Sequence, residues 1–168
     1  MSYKVGEKVV YPNHGVTIVE QIGDTDFGGM RNTYLQLRLL SNNSRLMVPV
    51  TNTERVGLRP LYRQSQIKSI FSLLEERPSQ AARDWKDRYR DNLEKMKSGK
   101  LEDVADVLKN LTQVSKRKSL SFREKKMYER AKHLLVSEVA IVKGIGEKEA
   151  EALIEKSLDK ALGAVLGH

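Results

Sequence analysis

The sequence predicts an α+β chain, a small β-barrel over residues 1–60 followed by a compact bundle of about five helices over residues 61–168. Three observations predict it. The first 60 residues carry short β-branched runs punctuated by Pro, Asn and Gly. From residue 64 onward the apolar residues recur at helical spacing instead. The change of pattern falls between Gly57 and Arg63, and no internal repeat crosses it.

Taken in order, Lys8-Val9-Val10-Tyr11 is a strand and Pro12-Asn13-His14-Gly15 a turn cluster. Val16 to Ile22 is β-rich, although its apolar–polar alternation holds only roughly. Asp24 to Asn32, with Gly28-Gly29, reads as a loop. Tyr34, Leu35, Leu37, Leu39 and Leu40 mark the next strand, with Gln36 and Arg38 on its opposite face. Asn42-Asn43 supports a tight turn, because Asn tolerates positive φ. Leu46, Met47, Val48 and Val50 form the partner strand, and Pro49 places it at an edge or near its end. Four or five short strands in about 60 residues suit a small barrel of the Tudor or SH3 type, with one or two strands open at an edge.

Ile67, Ile70, Phe71 and Leu74 then give a helix ended by Pro78. A helix from about Gln80 to Lys97 carries Trp85 and is closed by Gly99. Leu101, Val104, Ala105, Leu108 and Leu111 mark the next. Ser121 with Glu124 is a capping box opening the longest helix, whose apolar positions run from Met127 to Val142 and whose stop is Gly144. Ala150, Leu153, Ile154, Leu158, Ala161 and Leu162 mark the last.

Composition excludes several classes of function. No cysteine is present, which removes disulfides, thiolate chemistry and Cys-type zinc sites. No apolar run approaches the roughly 20 residues of a membrane span, and the N-terminus lacks a signal-type apolar core, so a cytoplasmic protein without membrane partners is expected. His14, His133 and His168 have no ligand partner at helical spacing, and there is neither a P-loop nor a dinucleotide fingerprint. A non-enzyme without metal or cofactor is therefore expected.

The charge points to a polyanion. The net charge is +8 and the pI about 9.6. Residues 116–132 hold eight cations against two acids, and residues 83–100 hold seven against four. Two separated basic patches suit a protein that tracks a nucleic-acid backbone rather than one that reads bases. Within the second patch lies the only tryptophan, in Arg83-Asp84-Trp85-Lys86-Asp87-Arg88-Tyr89-Arg90. An indole among cations suits a ring that wedges against or stacks on bases while its neighbours hold phosphates. Trp85, Tyr89, Leu93 and Met96 also share helical spacing, so the indole can equally be the first knob of a buried stripe. A second element, Val142-Lys143-Gly144-Ile145-Gly146 followed by Ala150 and Ile154, resembles a helix-hairpin-helix. That motif would make the chain a free-standing, nonspecific DNA binder; its plain alternative is a glycine stop followed by a new helix.

Several segments together resemble the CarD/CdnL family of bacterial transcription regulators. They are Val5-Gly6-Glu7-Lys8-Val9-Val10-Tyr11-Pro12-Asn13-His14-Gly15, Met47-Val48-Pro49-Val50, Val56-Gly57-Leu58-Arg59, Trp85-Lys86-Asp87-Arg88-Tyr89-Arg90, Leu93 to Gly99 and Leu120 to Met127. The resemblance implies a Tudor-like N-terminal domain that binds the β subunit of RNA polymerase, and a helical domain that contacts promoter DNA, largely without sequence preference. It implies that Trp85 wedges into the minor groove at the upstream edge of the transcription bubble and stabilises the open complex. On this basis Leu37, Arg38, Arg45, Met47 and Pro49 are the expected polymerase contacts. Trp85, Lys86, Arg88, Arg90, Lys125 and Lys126 are the expected DNA contacts. The chain departs from some members at Asp87, where they carry a basic residue, and at Met47, where they carry Arg.

Overall fold

The computed structural model describes residues 2–27, 30–77 and 84–165, with the backbone alone at 25–27, 30, 164 and 165. The chain divides into two compact units, Met1–Leu61 and Tyr62–His168.

The first unit is one antiparallel sheet built from β1 (Lys8–Tyr11), β2 (Gly15–Phe27), β3 (Met30–Leu39), β4 (Arg45–Pro49) and β5 (Arg59–Pro60). The spatial order is β4-β3-β2-β1-β5. Among the described residues no ladder joins β4 to β5, so the sheet is open where a barrel was expected. The reason is local: β5 is two residues long, and its Pro60 has no N–H to give a further ladder. The turns follow the sequence, with Asn13 and Asn43 at φ 68° and 62°.

The expected loop over Asp24 to Asn32 is instead paired strand, continuing through Asp24↔Thr33 to Phe27↔Met30. Gly28 and Gly29 lie outside the described residues. The rough alternation in β2 also has a cause. The register shifts between Val19 and Gln21, so a bulge re-phases the strand halfway along. Val9, Val19, Leu35, Leu37, Val48 and Leu58 form the core of this unit.

A 3₁₀ turn (Val50–Asn52) and the four-residue helix α1 (Thr53–Val56) follow β4. Gly57 ends α1 at φ 81°, and a Cβ there would meet Pro12 Cγ at 3.2 Å. The left-handed φ favours glycine, and the close approach of Pro12 adds to that preference. With α1 the described residues hold six α-helices, one more than expected, and the extra one lies in the first unit.

The second unit contains α2 (Gln64–Glu75), α3 (Trp85–Lys97), α4 (Leu101–Ser115), α5 (Phe122–Lys143) and α6 (Glu147–Val165). α2 ends at Glu75; the expected terminator Pro78 and the expected helix start near Gln80 lie outside the described residues. α3 begins at Trp85 because Asp84 caps it, accepting a hydrogen bond from the Lys86 N–H at 3.3 Å. The core runs through Ile67, Ile70, Leu74, Leu108, Leu111 and Leu135.

One buried cation acts as a cap. Lys109 Nζ donates to the Leu73 and Glu76 carbonyls at 2.7 and 3.2 Å, closing the C-terminal end of α2. Burial lowers its pKa, and nearby acids oppose that shift only in part. Lys109→Ala removes the Nζ donor from both carbonyls, Leu73 O keeping the Glu76 N–H at 3.3 Å. It is expected to cost about 1–3 kcal/mol in urea unfolding; an unchanged midpoint would show that the cap is dispensable.

Candidate functional site

The N-terminal turn of α3 carries Trp85 as its first residue, and the indole is 44 % exposed. The helical stripe predicted from sequence divides at this point. Tyr89, Leu93 and Met96 pack into the core cluster, whereas Trp85 stands outside it. The two acids beside it belong to the helix start, where carboxylates favour the macrodipole. Asp84 is the cap, and Asp87 pairs with Arg90 Nη2 at 2.8 Å. That pair is largely exposed, hence weak, and leaves the Arg90 guanidinium open to solvent. Lys86 is exposed on the same turn.

Arg88 departs from the expectation. It is 6 % exposed, and its Nε and Nη2 donate to Glu124 Oε2 and Oε1 at 2.8 and 3.1 Å. Its guanidinium has no surface to offer DNA, so Arg88 is not a phosphate contact here. It braces the site instead, joining the second turn of α3 to the first turn of α5 with a two-pronged ion pair.

Glu124 has two tasks. Ser121 Oγ accepts the Glu124 N–H at 3.2 Å, as the capping box requires. The Glu124 carboxylate receives the Ser121 hydroxyl at 3.3 Å and both arms of Arg88. Burial raises its pKa. The Arg88 hydrogen bonds and charge, with help from Ser121, outweigh that and hold it below the usual carboxylate value. One capping glutamate therefore fixes both the start of α5 and the orientation of the Trp85 turn.

Beside this clasp the first turns of α5 present Arg123, Lys125 and Lys126, all exposed, and the preceding loop presents Lys116, Arg117 and Lys118. Not every cation of this block is available. Lys132 is held by Glu151 at 2.6 Å and Glu155 at 3.5 Å, and its pKa is raised chiefly by the Glu151 hydrogen bond. Phe122, the first residue of α5, is 72 % exposed, with Lys126 Nζ 4.5 Å from its ring centroid. Sequence reasoning missed it, although its position immediately after the capping serine, off the Met127–Ala131–Leu134 stripe, was a readable signal.

The glycine turn after α5 is a helix stop. Gly144 takes φ 69°, its N–H meets the Ala140 and Ile141 carbonyls, and the Ile145 N–H meets Ala140 O at 3.0 Å. Those donors are spent within the chain. Glu147 and Glu149 then occupy the first turn of α6, where a phosphate would have to lie. The helix-hairpin-helix reading gains nothing from this geometry.

In the first unit, the outer face of the sheet gathers Arg38, Arg45, Met47 and Pro49 with Tyr34 and Gln36, by the pairings Tyr34↔Pro49, Gln36↔Met47 and Arg38↔Arg45. Met47 is 61 % exposed on β4, an edge strand. Glu20 holds both guanidiniums, Arg38 Nε at 3.1 Å and Arg45 Nε at 3.2 Å, and its pKa is lowered chiefly by the Arg45 hydrogen bond. A shallow groove lined by Gln21, Gly23, Tyr34, Gln36 and Met47 adjoins them. Leu37 does not belong to this face. It is fully buried, between its cross-strand partners Val19 and Leu46, because pleating turns it inward.

Among the described residues no cluster of His, Asp and Glu could hold a metal ion, and no helix is long and apolar enough to cross a membrane.

Comparison with known proteins adds the following. Residues 3–62 match the model of the CarD-like/TRCF RID domain, and residues 69–155 match that of the CarD C-terminal domain. The chain is 31 % identical over 150 residues to the putative transcription factor YdeB of Bacillus subtilis, covering 89 % of this chain and 98 % of the relative. Among solved structures, the 72-residue N-terminal domain of Myxococcus xanthus CarD matches at 32 % identity and a TM-score of 0.32, covering 35 % of this chain and 79 % of that one. The N-terminal part of Myxococcus CdnL matches at 42 % identity and a TM-score of 0.32, covering 36 % and 84 %.

Proposed function

Because this chain belongs to the CarD family of transcription regulators, we propose that it docks on the β subunit of RNA polymerase and stabilises the open promoter complex with Trp85. The observation that carries this reading is the half-exposed indole at the head of α3, braced from behind by Arg88 and Glu124. The mechanism is a population shift. An apolar ring inserts at little cost where base steps are already unstacked at the edge of melted DNA. On closed duplex the same insertion must supply a few kcal/mol of unstacking. A preference of about 2 kcal/mol for the open state shifts the open-to-closed ratio roughly 30-fold. Lys86, Arg90, Lys125 and Lys126 add affinity for phosphates that both states offer. Docking through the Tudor-like first unit, by Arg45, Met47 and Pro49 on the open edge strand β4 with Arg38 on β3 beside it, supplies effective concentration, so weak DNA contact suffices. The protein acts at promoters, and so at the nucleoid, through the polymerase rather than through sequence.

The test is open-complex lifetime under competitor challenge, measured with polymerase alone, with the protein, and with its Arg45→Glu/Met47→Asp variant. The protein should lengthen the lifetime. The variant, whose helical unit is untouched, should bind polymerase at least about tenfold more weakly, since interface hot spots cost 2 kcal/mol or more, and should lose the effect. No lengthening by the wild-type protein, or an effect retained without polymerase binding, would overturn the reading.

A further inference from the structure

Phe122 is the most exposed large apolar side chain among the described residues, and folding does not account for it. Ser121 and Glu124 start α5 by themselves, and the buried face of that helix runs from Glu124 through Met127 and Ala131, leaving Phe122 off it. The ring is not isolated. Lys126 lies over it at 4.5 Å, and Arg123 and Lys125 are exposed on the same two turns. Its neighbourhood is set by the Arg88–Glu124 ion pair. Trp85 precedes Arg88 by three residues and Phe122 precedes Glu124 by two. At about 1.5 Å of rise per residue, Trp85 and Phe122 each stand within roughly one turn of that pair along their own helices.

We propose that Phe122 is a second aromatic contact on melted DNA, stacking on an unpaired base near the step that Trp85 wedges, while Lys126 and Arg123 hold the adjoining phosphates. This rests on the promoter-DNA reading above and adds to it a second ring and an unpaired-base ligand. Charge complementarity selects the partner: a phenyl ring rimmed by ammonium and guanidinium groups suits a stacked base with its phosphate. A partner protein that buried this ring would have to desolvate those cations or match them with acids. Aromatic stacking on single strands tolerates any base, in keeping with a protein that does not read sequence.

The experiment uses the full chain with RNA polymerase on a promoter, and reads both open-complex lifetime and the permanganate reactivity of thymines in the upstream part of the bubble. Phe122→Ala, Phe122→Trp and Trp85→Ala are compared with the wild type. Phe122→Ala is expected to shorten the lifetime about three- to tenfold and to raise the reactivity of at least one upstream thymine. Polymerase affinity and thermal midpoint should be unchanged, and Phe122→Trp should restore both readouts. A wild-type lifetime and thymine pattern in Phe122→Ala, with Trp85→Ala defective, would overturn the second contact and leave the Trp85 reading standing. Wild-type behaviour of both alanine variants would overturn both. Loss of polymerase affinity in Phe122→Ala would assign the ring to a protein interface and also overturn the proposal.

Discussion

Trp85→Ala should shorten the lifetime of the open promoter complex roughly 10- to 30-fold, the equivalent of about 1.4–2 kcal/mol, while leaving polymerase affinity intact. The separation of effects follows from position. The indole is 44 % exposed and lies outside the core cluster, so its removal opens no cavity in the bundle. The cap, Asp84, and the brace, Arg88, remain in place, so the α3 turn keeps its course. Trp85→Phe should retain part of the effect, since a smaller ring still fills the step. If the alanine variant keeps the wild-type lifetime, the wedge is not the source of open-complex preference.

The second large effect is expected at the brace. Glu124→Gln leaves a buried guanidinium without its counter-charge, which typically costs about 3–5 kcal/mol. Urea unfolding at pH 7 should show that loss, and the open-complex lifetime should fall with it because the Trp85 turn is no longer held. Arg88→Met/Glu124→Leu replaces the pair by apolar groups of similar volume and should recover most of the stability. It should recover the lifetime as well. A double variant that is stable yet short-lived would return Arg88 to the DNA. The pH dependence follows from the same pair. The folded-state pKa of Glu124 lies below its ordinary value, about 4.3 in an unfolded chain. The stabilisation is therefore complete above that value and is lost as pH falls through the lower folded-state pKa. The acid limb of the wild-type stability profile should be steeper than that of Glu124→Gln; parallel limbs would show that the carboxylate carries no pH-linked stability.

Legibility in the sequence tracked how local each feature is. The Ser121–Glu124 capping box, the Gly144 stop and the Asn43 turn depend on a few consecutive residues, and the structure has all three. An open edge at the Pro49 strand was legible, but not that the barrel stays unclosed, because closure depends on whether β4 and β5 pair across the whole unit. The pairing of Asp24–Phe27 with Met30–Thr33 was hidden for a related reason. β4 reaches along β3 only as far as Tyr34, so this stretch is a two-stranded ribbon that needs no apolar alternation. At the site, the exposure of Trp85 was one of two open readings, since helical spacing alone puts it in line with Tyr89 and Leu93. The burial of Arg88 depends on an acid 36 residues away and has no local signature. Leu37 was assigned outward by resemblance against its own pleat parity, and parity prevailed.

Glu20 gives the two halves unlike responses to ionic strength. It already neutralises one of the two guanidiniums on the sheet, so the proposed polymerase face offers little net charge, and exposed Met47 beside it would act by contact rather than by field. Among the described residues no acid pairs with Lys125 or Lys126, so the proposed phosphate contacts around Phe122 would depend on displacing counterions. As salt rises, the grip on nucleic acid should loosen well before the mooring does, leaving the protein parked on its enzyme and ready to re-engage when the medium is diluted.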